Sequence, residues 1–220
     1  MNLQRITLRG SLHFPGIFLL LSASLLLTAV PASSQKRKSS RSATPAAVQD
    51  ILLAEKGTSQ YRIIIPASPV PDERRAAEVL QDYFLQVTGA ALPVIAADKN
   101  EKGVPFEIIL GQNERLDRLG IQINFNELGE DGFIIRTDSL RLIIAGGSKK
   151  GTLYGVYTFL EKYLDCRMYS PAVRIVPKKE KILLGRIEDR QIPLIKYRTI
   201  HYRGTWDQEY ADWHKLSHDA

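Results

Sequence analysis

The sequence predicts a mixed α/β fold, an α+β arrangement in which two long amphipathic helices pack on one β-sheet. Three observations carry this. Two stretches, Asp72–Val87 and Lys150–Leu164, carry apolar residues at helical spacing. Short runs rich in Ile, Val and Leu lie before, between and after them. The two kinds of segment alternate irregularly, which indicates a mixed sheet with helices packed on it.

The first element of the folded part begins near Val48. Ile51–Leu53 and Arg62–Ile65 read as two strands around the turn-like Lys56-Gly57-Thr58-Ser59. Pro66, Pro69 and Pro71 then break the chain, and Asp72 and Glu73 open a helix where its N-terminus favours negative charge. Ala76, Leu80, Tyr83, Phe84 and Val87 form that helix's apolar face, with Val79 beside them, and Gly89 ends it. Pro93–Ala96 and Phe106–Gly111 are further strands, separated by the polar loop Asp98–Gly103. Glu114–Leu119 reads as a short helix stopped by Gly120.

Gly132–Thr137 and Leu140–Ile144 flank Asp138-Ser139, a hairpin signal. Both strands carry apolar residues on each face near their middles, which favours a sheet covered on both sides or a central position within it. One cover is the second long helix, whose stripe is Leu153, Val156, Tyr157, Leu160, Tyr163 and Leu164. Gly151 and Gly155, one turn apart, allow its backbone close to the sheet. Val173–Val176 and Ile182–Leu184 are shorter strands after Pro171.

Residues 1–34 stand apart. Arg5 and Arg9 precede an apolar run from Ile17 to Val30, and the small residues Ala32, Ser33 and Ser34 follow. This is the pattern of a cleaved export signal, so the expected location is secreted or periplasmic, with no membrane attachment after cleavage. The competing reading is an uncleaved anchor, for which the run falls short of the roughly 20 residues a spanning helix needs.

The formal charge of +6 comes from the same end of the chain. Arg5, Arg9, Lys36, Arg37, Lys38 and Arg41 precede the first acid, Asp50; the remainder holds 24 basic and 24 acidic residues. A basic face for nucleic acid therefore has no support. Residues 35–47, basic and rich in Ser and Ala, read as a tether. The single cysteine, Cys166, cannot form an internal disulfide and lies at the end of an apolar helix, so it reads as a small core residue rather than a catalytic thiol.

Gly146-Gly147-Ser148-Lys149-Lys150-Gly151-Thr152 invites comparison with a phosphate loop. That loop needs lysine between its last glycine and the Ser/Thr, and here Gly151 runs straight into Thr152. A tight turn with Ser148 as N-cap is preferred, and no cofactor is expected. His214 and His218, four apart, could share a helix face, but no glutamate of an HExxH motif lies between them, so no metal is expected.

Four segments taken in order resemble one domain family. Ala76–Phe84 through Thr88–Val94 is similar to its first helix and following strand, and Ile108–Gly111 to its next strand. Asp131–Ile135 through Gly146-Gly147 is similar to its hairpin, and Gly151–Glu161 through Arg167–Pro171 to its second helix and exit. The family is the N-terminal accessory domain of glycoside hydrolase family 67 α-glucuronidases, with the second domain of family 20 β-hexosaminidases similar to it. Asp165 stands where that family usually has glycine, and the family tends to have tryptophan near Met168.

The resemblance implies a non-catalytic α/β domain over residues 48–192, packed against a following (β/α)₈ barrel. Residues 193–220 would be the truncated start of that barrel, its first strand and the loop after it. His201, Arg203, Trp206 and Asp207 are then candidate substrate-binding residues, because strand-end loops line such sites. Arg and Asp suit sugar hydroxyls or carboxylates, and Trp suits an apolar sugar face. The alternative is that all four are linker residues at a domain edge. Glu209 and Asp212 lie close by, but no acid/base pair is assignable within this stretch, so no catalytic residue is expected here. Beyond Gly204 the segment is expected to lack neighbours, leaving Trp206 and Trp213 without a core. The implied function is glycosidic-bond hydrolysis in polysaccharide degradation by the parent enzyme; the alternative is a carbohydrate-binding or scaffold module.

Overall fold

In the computed structural model, residues 50–98 and 104–217 are described. They belong to one compact unit, Thr44–Ala220. The expected export signal and tether, residues 99–103 of the polar loop and His218 lie outside the described residues.

The order of elements is β1 (Ile51–Glu55), β2 (Arg62–Ile65), α1 (Pro71–Thr88), β3 (Val94–Ala96), β4 (Glu107–Leu110), α2 (Glu114–Arg118), α3 (Phe125–Leu128), β5 (Phe133–Asp138), β6 (Arg141–Gly146) and α4 (Gly151–Lys162). There follow β7 (Arg167–Ser170), β8 (Val173–Ile175), β9 (Lys181–Leu184), β10 (Glu188–Gln191), a 3₁₀ turn at Arg203–Trp206 and α5 (Gln208–Trp213). Among the described residues one six-stranded sheet runs β10-β5-β6-β4-β2-β3. Its four strands β3-β2-β4-β6 are parallel, and β5 and β10 are antiparallel additions. The mixed α/β architecture is thus as the sequence predicts.

Both faces of this sheet are covered, because side chains alternate along a strand with a period of two. Ile108 and Leu110, Phe133 and Ile135, and Leu142 and Ile144 pack into the core that includes the apolar faces of α1 and α4. Ile64, Ile109, Ile134, Ile143 and Ala145 fill a smaller core on the other face, with Leu116 of α2 and Leu128 of α3. Gly155 allows α4 its close approach: an added Cβ would lie 2.8 Å from Ile144 Cγ2.

Three local details follow the chemistry of the sequence. Glu73, in the first turn of α1, accepts from the backbone of Val70 (3.1 Å) and of Gln112 (3.0 Å), tying the helix start to the end of β4. Asp165 takes a left-handed conformation, φ 61°, just past α4. At the amino end of the parallel strands, Glu107 is fully buried among Arg62 of β2, Arg115 of α2 and Arg141 of β6, at 3.0, 3.4 and 3.5 Å.

Several expectations need correction. β1 and β2 are strands, but β1 pairs antiparallel with β9 while β2 lies inside the main sheet. The tight turn between them (Glu55↔Thr58) returns the chain, which then leaves for the central sheet at Tyr61. The β5–β6 loop is Ser139-Leu140, one residue later than the sequence suggests, since Asp138 still pairs with Arg141. β7, β10 and α3 are not foreseen from the sequence; β10, Glu-Asp-Arg-Gln, is a sheet edge with no apolar period to read.

The largest correction concerns residues 193–202. They form no strand: among the described residues no β-sheet includes them. Nor is Trp213 left without a core: it is 2 % exposed and packs on Tyr83 of α1 and Tyr157 of α4, ring centroids 5.6 and 5.2 Å away.

Candidate functional site

The helices that follow β2 and β6 both start at one end of the sheet, the carboxyl end of its parallel strands. A cleft of about 400 Å³ opens there, lined by Asp72 of α1, Asp131 before β5, Lys149 and Lys150 before α4, Tyr154, and Lys196 from the C-terminal segment. This is where α/β sheets commonly bind ligands. Its charges are largely committed to one another. Lys150 Nζ donates to Asp212 Oδ1 at 2.7 Å, Lys149 pairs with Glu130 at 3.2 Å, and Arg198 Nη2 donates to Asp131 Oδ2 at 2.6 Å. Burial pushes the Asp72 carboxyl above the usual range; Lys150 opposes this, and Asp212 and Asp131 add to it.

The glycine loop before α4 is a packing device. An added Cβ on Gly147 would lie 2.1 Å from Gly129 O, and one on Gly151 would lie 2.3 Å from Gly132 O. Its amides are used as well: those of Gly147, Ser148 and Lys149 donate to the carbonyls of Gly132, Gly129 and Glu130 at 2.8, 3.0 and 3.0 Å. Donors so occupied cannot cradle a phosphate.

The C-terminal segment crosses this end of the molecule and then packs on α1 and α4. Asp212 is held by Lys150 and by Gln208 (3.0 Å). Glu209 accepts from the Tyr83 hydroxyl at 2.9 Å and pairs with Arg174 at 3.5 Å. Both acids near the candidate site are therefore structural ties. Burial raises the Tyr83 hydroxyl above its ordinary range, and Glu209 adds to that.

Of the four sequence candidates, His201, Arg203 and Trp206 lie on one exposed turn, with Trp206 84 % exposed. Asp207 follows them and acts locally, since its Oδ1 accepts from Tyr210 N at 2.8 Å and caps α5. The structure thus places all four on one short stretch and assigns one of them to the scaffold.

The sequence alone does not reveal Arg198 and Asp131. A lone arginine within Lys196-Tyr197-Arg198-Thr199 has no local signature, since its partner is 67 residues away. Cys166 is fully buried, and burial pushes its thiol up to about 11, so it is a core residue as expected. His214 Nε2 lies 3.0 Å from Met168 O. Among the described residues no group of three or more His, Cys, Asp or Glu is placed to hold a metal ion. No described helix is long and apolar enough to cross a membrane.

The fold and this arrangement define an α/β domain whose acids mostly serve its own architecture. The sequence profile of "Glycosyl hydrolase family 67 N-terminus" matches residues 46–159, more than half the chain. The chain belongs to that family, the N-terminal domain of a glycoside hydrolase. Among solved structures it is similar to a family GH115 4-O-methyl-alpha-glucuronidase with specificity for decorated arabinogalactans, at 22% identity and TM-score 0.46, covering 67% of this chain and 19% of that one. It is also similar to a mutant beta-hexosaminidase of Streptomyces plicatus, at 19% identity and TM-score 0.42, covering 69% and 25%. A third is the GH20 beta-N-acetylhexosaminidase of Streptomyces coelicolor A3(2), at 22% identity and TM-score 0.41, covering 70% and 26%. The chain thus spans about a fifth to a quarter of the length of these structures. Comparison with curated proteins returned no match.

Proposed function

We propose that residues 48–192 are the non-catalytic N-terminal domain of an exported, α-glucuronidase-like glycoside hydrolase that works in polysaccharide degradation. Residues 193–220 begin its (β/α)₈ catalytic barrel, and His201, Arg203, Trp206 and Asp207 lie on the substrate side. The family match over residues 46–159 carries this reading. It is supported by the exposed apolar ribbon Ile192, Leu194, Ile195, Tyr197, Ile200, Tyr202 and Trp206, a surface suited to a neighbouring domain. It is supported too by the engagement of Asp131, Asp212, Glu107 and Glu209 in ion pairs within the domain.

The test is turnover by the purified 220-residue chain on aryl glycosides and glucuronoxylan fragments. No hydrolysis is expected. Measurable turnover that is lost on changing a residue before Pro193 would place catalysis in this domain and end the reading. Export is checked by the mature N-terminus, expected near residue 35.

The exposed aromatics Tyr197, Tyr202 and Trp206 favour a second reading, a carbohydrate-binding or scaffold module that acts without a hydrolase. Glucuronoxylan binding by the chain itself, abolished by Trp206→Ala, would favour it.

A further inference from the structure

We infer that Arg198 is a positioning residue: it closes the neck of the 198–217 loop and fixes the exposed turn that carries His201, Arg203 and Trp206. This rests on the reading that the turn meets a saccharide. The geometry at the neck is dense. Arg198 N donates to Ser217 Oγ at 3.1 Å, and Ser217 N donates back to Arg198 O at 2.8 Å. The side chain holds the same neck again, with Nε on Lys215 O at 2.6 Å and Nη1 on Ile195 O at 2.7 Å. Its last nitrogen, Nη2, reaches Asp131 Oδ2 at 2.6 Å, and the guanidinium lies 5.8 Å from the centre of the Tyr154 ring. One planar fork therefore joins both ends of the loop to the head of β5 and the first turns of α4. Lysine, with a point charge on a flexible stem, cannot make these contacts together.

The rest of the loop is held from inside. Trp213 sits against Tyr83 and Tyr157, Asp212 holds Lys150, and the Tyr154 hydroxyl donates to Leu216 O at 3.3 Å. Thr199, Ile200, His201, Tyr202, Arg203 and Trp206 are all exposed. The loop has an interior anchored at α5, a clamped neck, and an outer turn stiffened by Thr205, whose Oγ1 donates to Tyr202 O at 2.6 Å. Such a turn is presented rather than packed, and its direction is set where the neck is set.

Amide hydrogen exchange on the 220-residue chain tests this. Arg198→Gln should speed exchange over residues 199–207 by about tenfold, with residues 141–162 unchanged, because loosening the neck opens the turn locally and not the sheet. Arg198→Lys should restore only part of the protection. A change below about twofold over 199–207, or an equal rise over 141–162, would make Arg198 an ordinary structural residue and overturn the inference. Should Arg198→Gln fail to fold, Asp131→Asn removes the sheet-side partner and leaves the neck's carbonyl contacts. It should raise exchange over 199–207 by a smaller factor, and no rise overturns the inference. Titration with glucuronoxylan oligosaccharides separates the two levels. Binding that Trp206→Ala abolishes and Arg198→Gln leaves unchanged counts against positioning. Absence of binding by the unaltered chain counts against the binding-module reading, and exchange then decides the role of Arg198 alone.

Discussion

Helix α4 and the ribbon that follows Gln191 treat apolar residues in opposite ways. Every residue from Gly151 to Leu160 is buried, polar Thr152 and Thr158 included. Between Ile192 and Trp206 the large apolar side chains face solvent, Leu194 being 98 % exposed. The helix satisfies its own backbone and needs only a surface to press against, which the sheet supplies. The ribbon, among the described residues, joins no β-sheet, and its large apolar side chains remain exposed. An apolar sequence alone therefore does not say whether a covering surface lies within the same folding unit.

Trp213 offers the hardest test of where the boundary between the two regimes falls. It lies beyond the ribbon yet in the core, and Trp213→Ala should cost about 3–5 kcal/mol in urea unfolding, the range for a buried large aromatic. A cost near zero would extend the ribbon's regime through α5. Leu160, on the buried face of α4, should cost about 2–5 kcal/mol on change to Ala, and an unchanged melting temperature would remove it from the core.

A smaller effect sits at the exit of α4. A hydrogen bond from Lys179 and its charge, 2.6 Å away, hold the Asp165 carboxyl below the usual range. Its contribution is therefore present above the unfolded value of about 3.9 and is lost as pH falls through the lower folded value. Asp165→Asn keeps a residue that tolerates the left-handed backbone and should flatten that acid limb in a melting series from about pH 2 to 6. An identical pH profile in the variant would mean the pair is screened out. The smallest effect belongs to the ribbon: Trp206→Ala should change stability by no more than about 0.5 kcal/mol. A larger loss would show that the turn is packed in solution.

The parts of this fold that are legible in sequence are those where one element's own period records its surroundings. The stripes of α1 and α4 name the core, and the two-sided apolar runs of β5 and β6 announce cover on both faces. Gly151 and Gly155 foretell a close approach. The illegible parts depend on distant partners. β10 carries no apolar signal because it is an edge; β1 looks like the mate of β2 until β9 claims it; residues 193–202 look like a strand but lack a ladder. At the candidate site the outer residues His201, Arg203 and Trp206 can be named from residue type. The structural duties of Asp207, Glu209 and Asp212, and the clamp formed by Arg198 and Asp131, emerge only in the folded chain, most of them when residues far apart in sequence meet.

Glu107 and its three arginines have a consequence for how the strands find their alignment. Arg62, Glu107 and Arg141 stand at the amino ends of β2, β4 and β6, which pair as Arg62↔Glu107 and, one step on, Ile108↔Leu142. A slip of one residue in β4 would turn the carboxylate to the opposite face, among aliphatic and aromatic side chains, where a lone charge is costly. A slip of two would keep the face but carry it away from the guanidiniums. A buried ion cluster adds little net stability, yet a slip of one or two residues in β4 would leave this carboxylate without its guanidiniums. The three central strands, rich in interchangeable isoleucines, thus carry a single charged mark that tells one alignment from its neighbours.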